Sequence, residues 1–84
     1  MNYMSNKLFV GNIAWETSND ELKEAFSKIG EVTDAFIIRD RETGRSKGYG
    51  FVTFANENDA LTAKEEMQDF DLNGREIKVH DADR

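Results

Sequence analysis

The chain has no cysteine, which excludes disulfide scaffolds, thiolate zinc sites and thiol nucleophiles. Its one histidine, His80, cannot build a zinc cluster without carboxylate help. No apolar run approaches the length of a membrane span, and residues 1–15 lack the charged-then-apolar profile of a signal peptide. A soluble intracellular protein, nuclear or cytoplasmic, is the expectation. Cations are also scarce: 11 Lys and Arg stand against 17 Asp and Glu, a formal net charge of −6. That total is a poor match for a polyanion, but distribution matters more than the sum. Residues 16–31 hold five carboxylates against Lys23 and Lys28, and residues 57–71 hold six against Lys64. Residues 39–47 reverse the sign, with Arg39, Arg41, Arg45 and Lys47 against Asp40 and Glu42.

What the chain does have is aromatic rings on a strand pattern. Residues 47–54 read KGYGFVTF. In an extended strand, Val52 and Phe54 share one face with Gly48 and Gly50. The other face then carries Lys47, Tyr49, Phe51 and Thr53. A half-buried strand has no use for aromatics on both faces, and two glycines between them make a poor strand by propensity alone. The glycines fit a place where another layer packs closely beneath while the rings stand clear above. Exposed rings beside a cation suit a single-stranded nucleic acid, whose bases stack and whose phosphates need positive charge. Residues 8–13, LFVGNI, repeat the theme, with Leu8 and Val10 toward a core and Lys7 and Phe9 toward the ring-bearing face.

In order, residues 1–6 are polar and aperiodic, and a frayed start is expected. A first strand runs over 7–13, and Trp15 in the turn after it is expected to pack against the domain edge. Ser18 with Glu21 is a capping-box pattern opening a helix over 19–29, whose stripe is Leu22, Ala25, Phe26 and Ile29. Gly30 is expected to end that helix in the left-handed conformation. A second strand over 31–39 puts Ala35 and Ile37 on one face and Asp34, Phe36 and Ile38 on the other. Residues 40–46, DRETGRS, form a solvated connection to the ring-bearing strand. A second helix over 59–68 carries Ala60, Ala63 and Met67, with Asn58 as N-cap. Asn73-Gly74 marks a tight turn, and the last strand covers 75–80.

The order is βαββαβ: an α+β, ferredoxin-like split βαβ fold, with a four-stranded antiparallel sheet and two helices on one face. The two motif strands lie adjacent in the middle, and the open face carries Phe9, Tyr49 and Phe51. Residues 7–82 form one domain, with 83–84 as a tail.

KGYGFVTF resembles the RNP octamer of the RNA recognition motif, and LFVGNI its hexamer, in the family's order. With AWETSNDELKEAFSKIGEV and IIRDRETGRSKGYGFVTF, the chain looks most like the single-motif glycine-rich and cold-inducible RNA-binding proteins. The resemblance implies that Phe9 and Tyr49 stack on bases, that Phe51 inserts between neighbouring sugars, and that Lys47 meets phosphate. It implies further contacts from Lys78, His80 and Asp81 at the end of the last strand. Lys7, Asn12, Phe36, Ile38, Arg39 and Arg45 complete the candidate RNA-binding set. Asn12 departs from the glycine usual in this group, Lys64 from an aliphatic residue, and Asp69 from a glycine that a left-handed backbone would favour. The resemblance implies a single-stranded RNA partner, with single-stranded DNA left open, a monomer, and a role as RNA chaperone or post-transcriptional regulator. A protein-binding variant of the fold, using the sheet or the acidic helices, is the alternative, and the helices could recruit a basic protein in addition to RNA. A small enzyme on the same architecture lacks support, because no phosphate loop and no nucleophile–base pair is present. No cofactor and no metal is expected.

Overall fold

A computed structural model describes residues 6–82. The expected start over 1–6 and tail over 83–84 lie outside the described residues, apart from Asn6. That residue pairs with Phe54 in both directions, through its backbone oxygen at 2.8 Å and its side-chain amide at 2.7 Å.

The elements are β1 (Lys7–Gly11), α1 (Asn19–Ser27), β2 (Val32–Arg39), β3 (Ser46–Phe54), α2 (Glu57–Glu66), β4 (Asp71–Leu72), β5 (Arg75–Glu76) and β6 (Lys78–Asp81). The main sheet has the order β2-β3-β1-β6, antiparallel throughout, and both helices cover one face. β3 and β1 are central, as their apolar inward residues require. Leu8, Val10, Val52, Phe54 and Val79 from the sheet meet Leu22, Phe26, Ala60 and Ala63 from the helices in one buried cluster. Phe26 and Phe54 pack with ring centroids 6.3 Å apart. Burying each such side chain contributes roughly 1.5–3 kcal/mol, enough to hold one sheet face while the other stays open.

Helix α1 opens as its sequence dictates. The Ser18 hydroxyl accepts from Glu21 N–H at 3.1 Å, and the Glu21 carboxylate accepts from Ser18 N–H at 2.9 Å. It ends earlier than its stripe, with Lys28 as a right-handed C-cap. Gly30 does not take positive φ. Its smallness serves packing instead, since an added Cβ would collide with the Asp59 carboxylate of α2.

Helix α2 begins two residues before the expected start. The cap is Asn56, whose side chain accepts from Asn58 N–H at 2.8 Å, and Glu57 and Asp59 then lie in the first turn, where the helix dipole favours acid. Asp69 does adopt the left-handed conformation, at φ 65°. The expected last strand is divided. Arg75–Glu76 pairs with β4 across the Asn73-Gly74 turn, where both residues have positive φ, and only Lys78–Asp81 joins the main sheet. The edge of β6 is closed by Gln68, whose amide donates to Val79 O at 2.9 Å and accepts from Val79 N–H at 3.0 Å.

Candidate nucleic-acid interface

Strand register decides which side chains share the open face. Phe36 lies opposite Phe51, Phe51 opposite Phe9, and Phe9 opposite His80. One ring from each of the four strands therefore falls in a single row across the sheet. Neighbouring centroids are 5.7, 5.9 and 6.3 Å apart from Phe36 to His80. Tyr49 stands off this row, 5.6 Å from Phe9 and 6.5 Å from Phe51. The Lys7 ammonium lies 4.9 Å above the Phe51 ring, a cation–π distance. All four phenyl and phenol rings of the group are half-buried: their edges rest on the sheet and on each other.

Three glycines make room for this surface, each for its own reason. A Cβ on Gly11 would stand 3.1 Å from the Phe9 ring, so its absence lets that ring lie close to the strand. Gly48 has φ +84°, a conformation side chains rarely adopt, and lies where the β2–β3 register shifts. Gly50 is pressed by β2: an added Cβ would strike the Phe36 carbonyl and come within 2.9 Å of Ile37 Cα. Of the two β3 glycines expected to lie over a close layer, Gly50 does so, the layer being the neighbouring strand β2, whereas Gly48 has only an ordinary contact at 3.7 Å with Ile13 O.

The remaining candidates divide. Lys47 is exposed on β3, Arg45 exposed in the β2–β3 connection, and Ile38 half-buried on β2. Arg39 turns away from the rings, and its guanidinium donates to Gly44 O at 3.3 Å and Thr17 O at 3.5 Å. Lys78 is held by an ion pair with the Asp69 carboxylate, which raises the pKa of its ammonium. Asp81 lies opposite buried Leu8, so it faces the helices, and it meets the Lys64 ammonium at 3.1 Å. That pair is how Lys64 occupies its half-buried place on α2. Asn12 is a structural joint: at φ 56° its amide donates to Glu76 O at 2.8 Å and its oxygen accepts from Arg75. The left-handed backbone explains why glycine suits this position elsewhere.

The β2–β3 connection is an ordered hairpin. Asp40 accepts from Glu42 N–H at 2.8 Å and Thr43 N–H at 3.0 Å, and Gly44 turns it at φ 76°. These donors, Thr43 first, hold the Asp40 carboxyl below its ordinary pKa, with help from the Lys47 charge. Glu21 is lowered likewise, first by Ser18 N–H and then by the Asn73 amide.

Trp15 was missed as a surface residue. It is 73 % exposed, not packed on the domain edge. Its neighbours Ile13, Ala14 and Thr17 are buried, and that alternation within a turn carried no periodic signal.

The model of the RNA recognition motif matches residues 8–78. The chain belongs to the RNA recognition motif family. It is 54 % identical over 80 residues to a mitochondrial glycine-rich RNA-binding protein of Arabidopsis thaliana, covering 95 % of this chain and 59 % of that protein. It is 53 % identical over 76 residues to a glycine-rich, abscisic acid-inducible RNA-binding protein of Zea mays, covering 90 % and 48 %. Among solved structures, a Sxl-lethal protein/RNA complex superposes with a TM-score of 0.89 at 30 % identity, covering 95 % of this chain and 48 % of that one. The chain thus spans about half the length of the curated relatives it matches. Both of these relatives are named glycine-rich RNA-binding proteins, and this recognition-motif domain has two helices on one sheet face.

Proposed function

We propose that the domain binds single-stranded RNA by stacking successive bases along the row Phe36–Phe51–Phe9–His80. The observation that carries the reading is the register, which aligns one ring per strand on an open face. Strands lie ~4.8 Å apart, so an extended nucleic acid crossing them meets a ring at each strand. The same register favours exchanging two roles implied by the family resemblance. Phe51, in the row, suits a base, and Tyr49, set between Phe9 and Phe51 but off the row, suits the sugar–phosphate linking two bases. Lys7 and Lys47 are the cations best disposed toward phosphate.

The reading is one of binding, not catalysis, by a monomer, inside the cell. A mitochondrial relative adds the mitochondrion to the nucleus and cytoplasm as a compartment to test. RNA chaperoning or post-transcriptional regulation is the role proposed for the whole protein. A peptide-binding role for the open face is less well supported, because it gives no reason for a ring on every strand. Selection from random-sequence RNA and DNA pools tests the proposal. A selected RNA should lose ~2–6 kcal/mol of binding with Phe9 and Phe51 both changed to alanine, by stacking increments of roughly 1–3 kcal/mol per base. Failure to enrich any RNA, or equal binding by the folded double variant, would end it.

A further inference from the structure

One member of the ring row can carry a charge. Phe36, Phe51 and Phe9 are neutral at every pH, but the row ends on β6 with His80, the sole histidine of the sequence. Its ring is exposed and stacks on Phe9, with centroids 6.3 Å apart and 25° between the planes. Histidine is the side chain type whose charge ordinarily changes between about pH 5 and pH 8.

The place of this ring is fixed from both sides of its strand. Phe9 lies opposite it on β1, and the preceding residue, Val79, is held on the outer edge by both amide atoms of Gln68. Among the described residues no group hydrogen-bonds or ion-pairs with the imidazole, so its ring nitrogens face a ligand uncommitted. The charged groups around it are engaged elsewhere. On β6, Lys78 is paired with Asp69 from the turn after α2, and Asp81 faces the helices on Lys64. Glu76 lies further back, on β5, where its charge acts on Lys78. Across on β1, Lys7 reaches over Phe51, and beyond Phe9 stands the Tyr49 phenol of β3. The anion that suits a charged His80 is therefore a phosphate of the bound nucleic acid. Neutral imidazole offers one N–H donor and one acceptor, whereas imidazolium offers two donors and a charge. A base can stack on either form, but only the charged form adds an ionic hydrogen bond to the adjoining phosphate.

We propose that His80 makes RNA binding proton-linked, stacking on the terminal base in both states and gripping its phosphate only when protonated. The inference rests on the RNA-binding reading and deepens it by giving that site a regulator. RNA and proton favour one another, so acidification across the neutral range tightens the complex and alkalinisation loosens it.

The probe is the tightest RNA from the random pool, its affinity measured from about pH 8 to about pH 5.5 at fixed ionic strength. The parent protein should tighten roughly two- to fivefold on acidification, as one exposed ion pair allows. Its log–log salt slope should steepen by ~0.7 at the acid end, the increment for one more phosphate contact. His80→Phe keeps a ring but cannot gain a proton, so neither quantity should change with pH, whatever its affinity at the alkaline end. His80→Gln, with neither ring nor charge, should give the same flat profile. Melting curves at both ends of the range check that each variant is folded, and any titration of the RNA itself is common to all three proteins. The proposal is overturned if the parent binds equally or more weakly at the acid end, or if His80→Phe tightens as much as the parent. Those outcomes leave RNA binding by the sheet intact, whereas a protein that enriches no RNA at any pH fails at the earlier reading.

Discussion

Phe9 is the residue on which the open face converges, with Tyr49, Phe51 and His80 all within 6.3 Å by ring centroids. Its position follows from covalent geometry: alternate side chains of a strand point to alternate faces, and Leu8 and Val10 are committed to the core. For the same reason Phe36, Tyr49 and Phe51 were legible in the sequence as surface rings. Phe36 is the informative case for a test, because it stands at the row's outer end on an edge strand. The alternative to stacking, packing of Phe36 against Tyr3 or Met4, involves residues outside those described. Phe36→Val should leave binding of the shortest RNAs unchanged and cost up to ~1 kcal/mol once a further base can reach β2. A loss constant at every length would make it surface packing only. Trp15 and Asp81 were less legible. The exposure of a turn residue, and the ion pair that draws Asp81 to Lys64, depend on contacts distant in sequence.

Elements were legible where a local signal opened them and less so where tertiary contact closed them. The Ser18–Glu21 box fixed the start of α1 from four residues. The start of α2 is ambiguous by its side-chain signal alone, since Asn56 and Asn58 are both competent caps and only the chain's exit from β3 selects the first. The last strand was read as one run, but Ile77 turns inward with its N–H on Phe70 O, and the run divides there. Gly50 shows how an element can be shaped by its neighbour. A methyl group there meets the backbone of β2, which cannot rotate aside as a side chain would. Gly50→Ala should cost ~1–3 kcal/mol of stability, seen as a lower melting temperature, by forcing β2 from β3. It should also weaken RNA binding, because the same shift separates Phe36 from Phe51. Unchanged melting would show that β2 accommodates the methyl group freely.

Charge is organised over the whole molecule so that an acidic protein presents a locally neutral-to-basic reading surface. The carboxylates cluster on α1 and α2, which lie behind the sheet, and cations line one end of it. Some cations that count in the composition are already taken: Lys78 by Asp69, and Lys64 by Asp81. For an RNA confined to the rings, Arg45 and Lys47 are exposed beside them and Lys7 lies over the Phe51 ring, and these three are taken to meet phosphates. Each contact to a single strand contributes ~0.7 to the log–log salt slope, so the slope should be about −2. An RNA long enough to reach Arg41 in the hairpin should steepen it toward about −3 by the same increment. Lys47→Gln should flatten the slope by less than about one unit without altering base preference. Lys78→Gln should leave it unchanged, because its partner is a carboxylate and not RNA. Affinity measured against salt for the two variants separates these accounts. A slope steeper than about −5, or a clear flattening by Lys78→Gln, would mean that binding draws on charges assigned here to the fold.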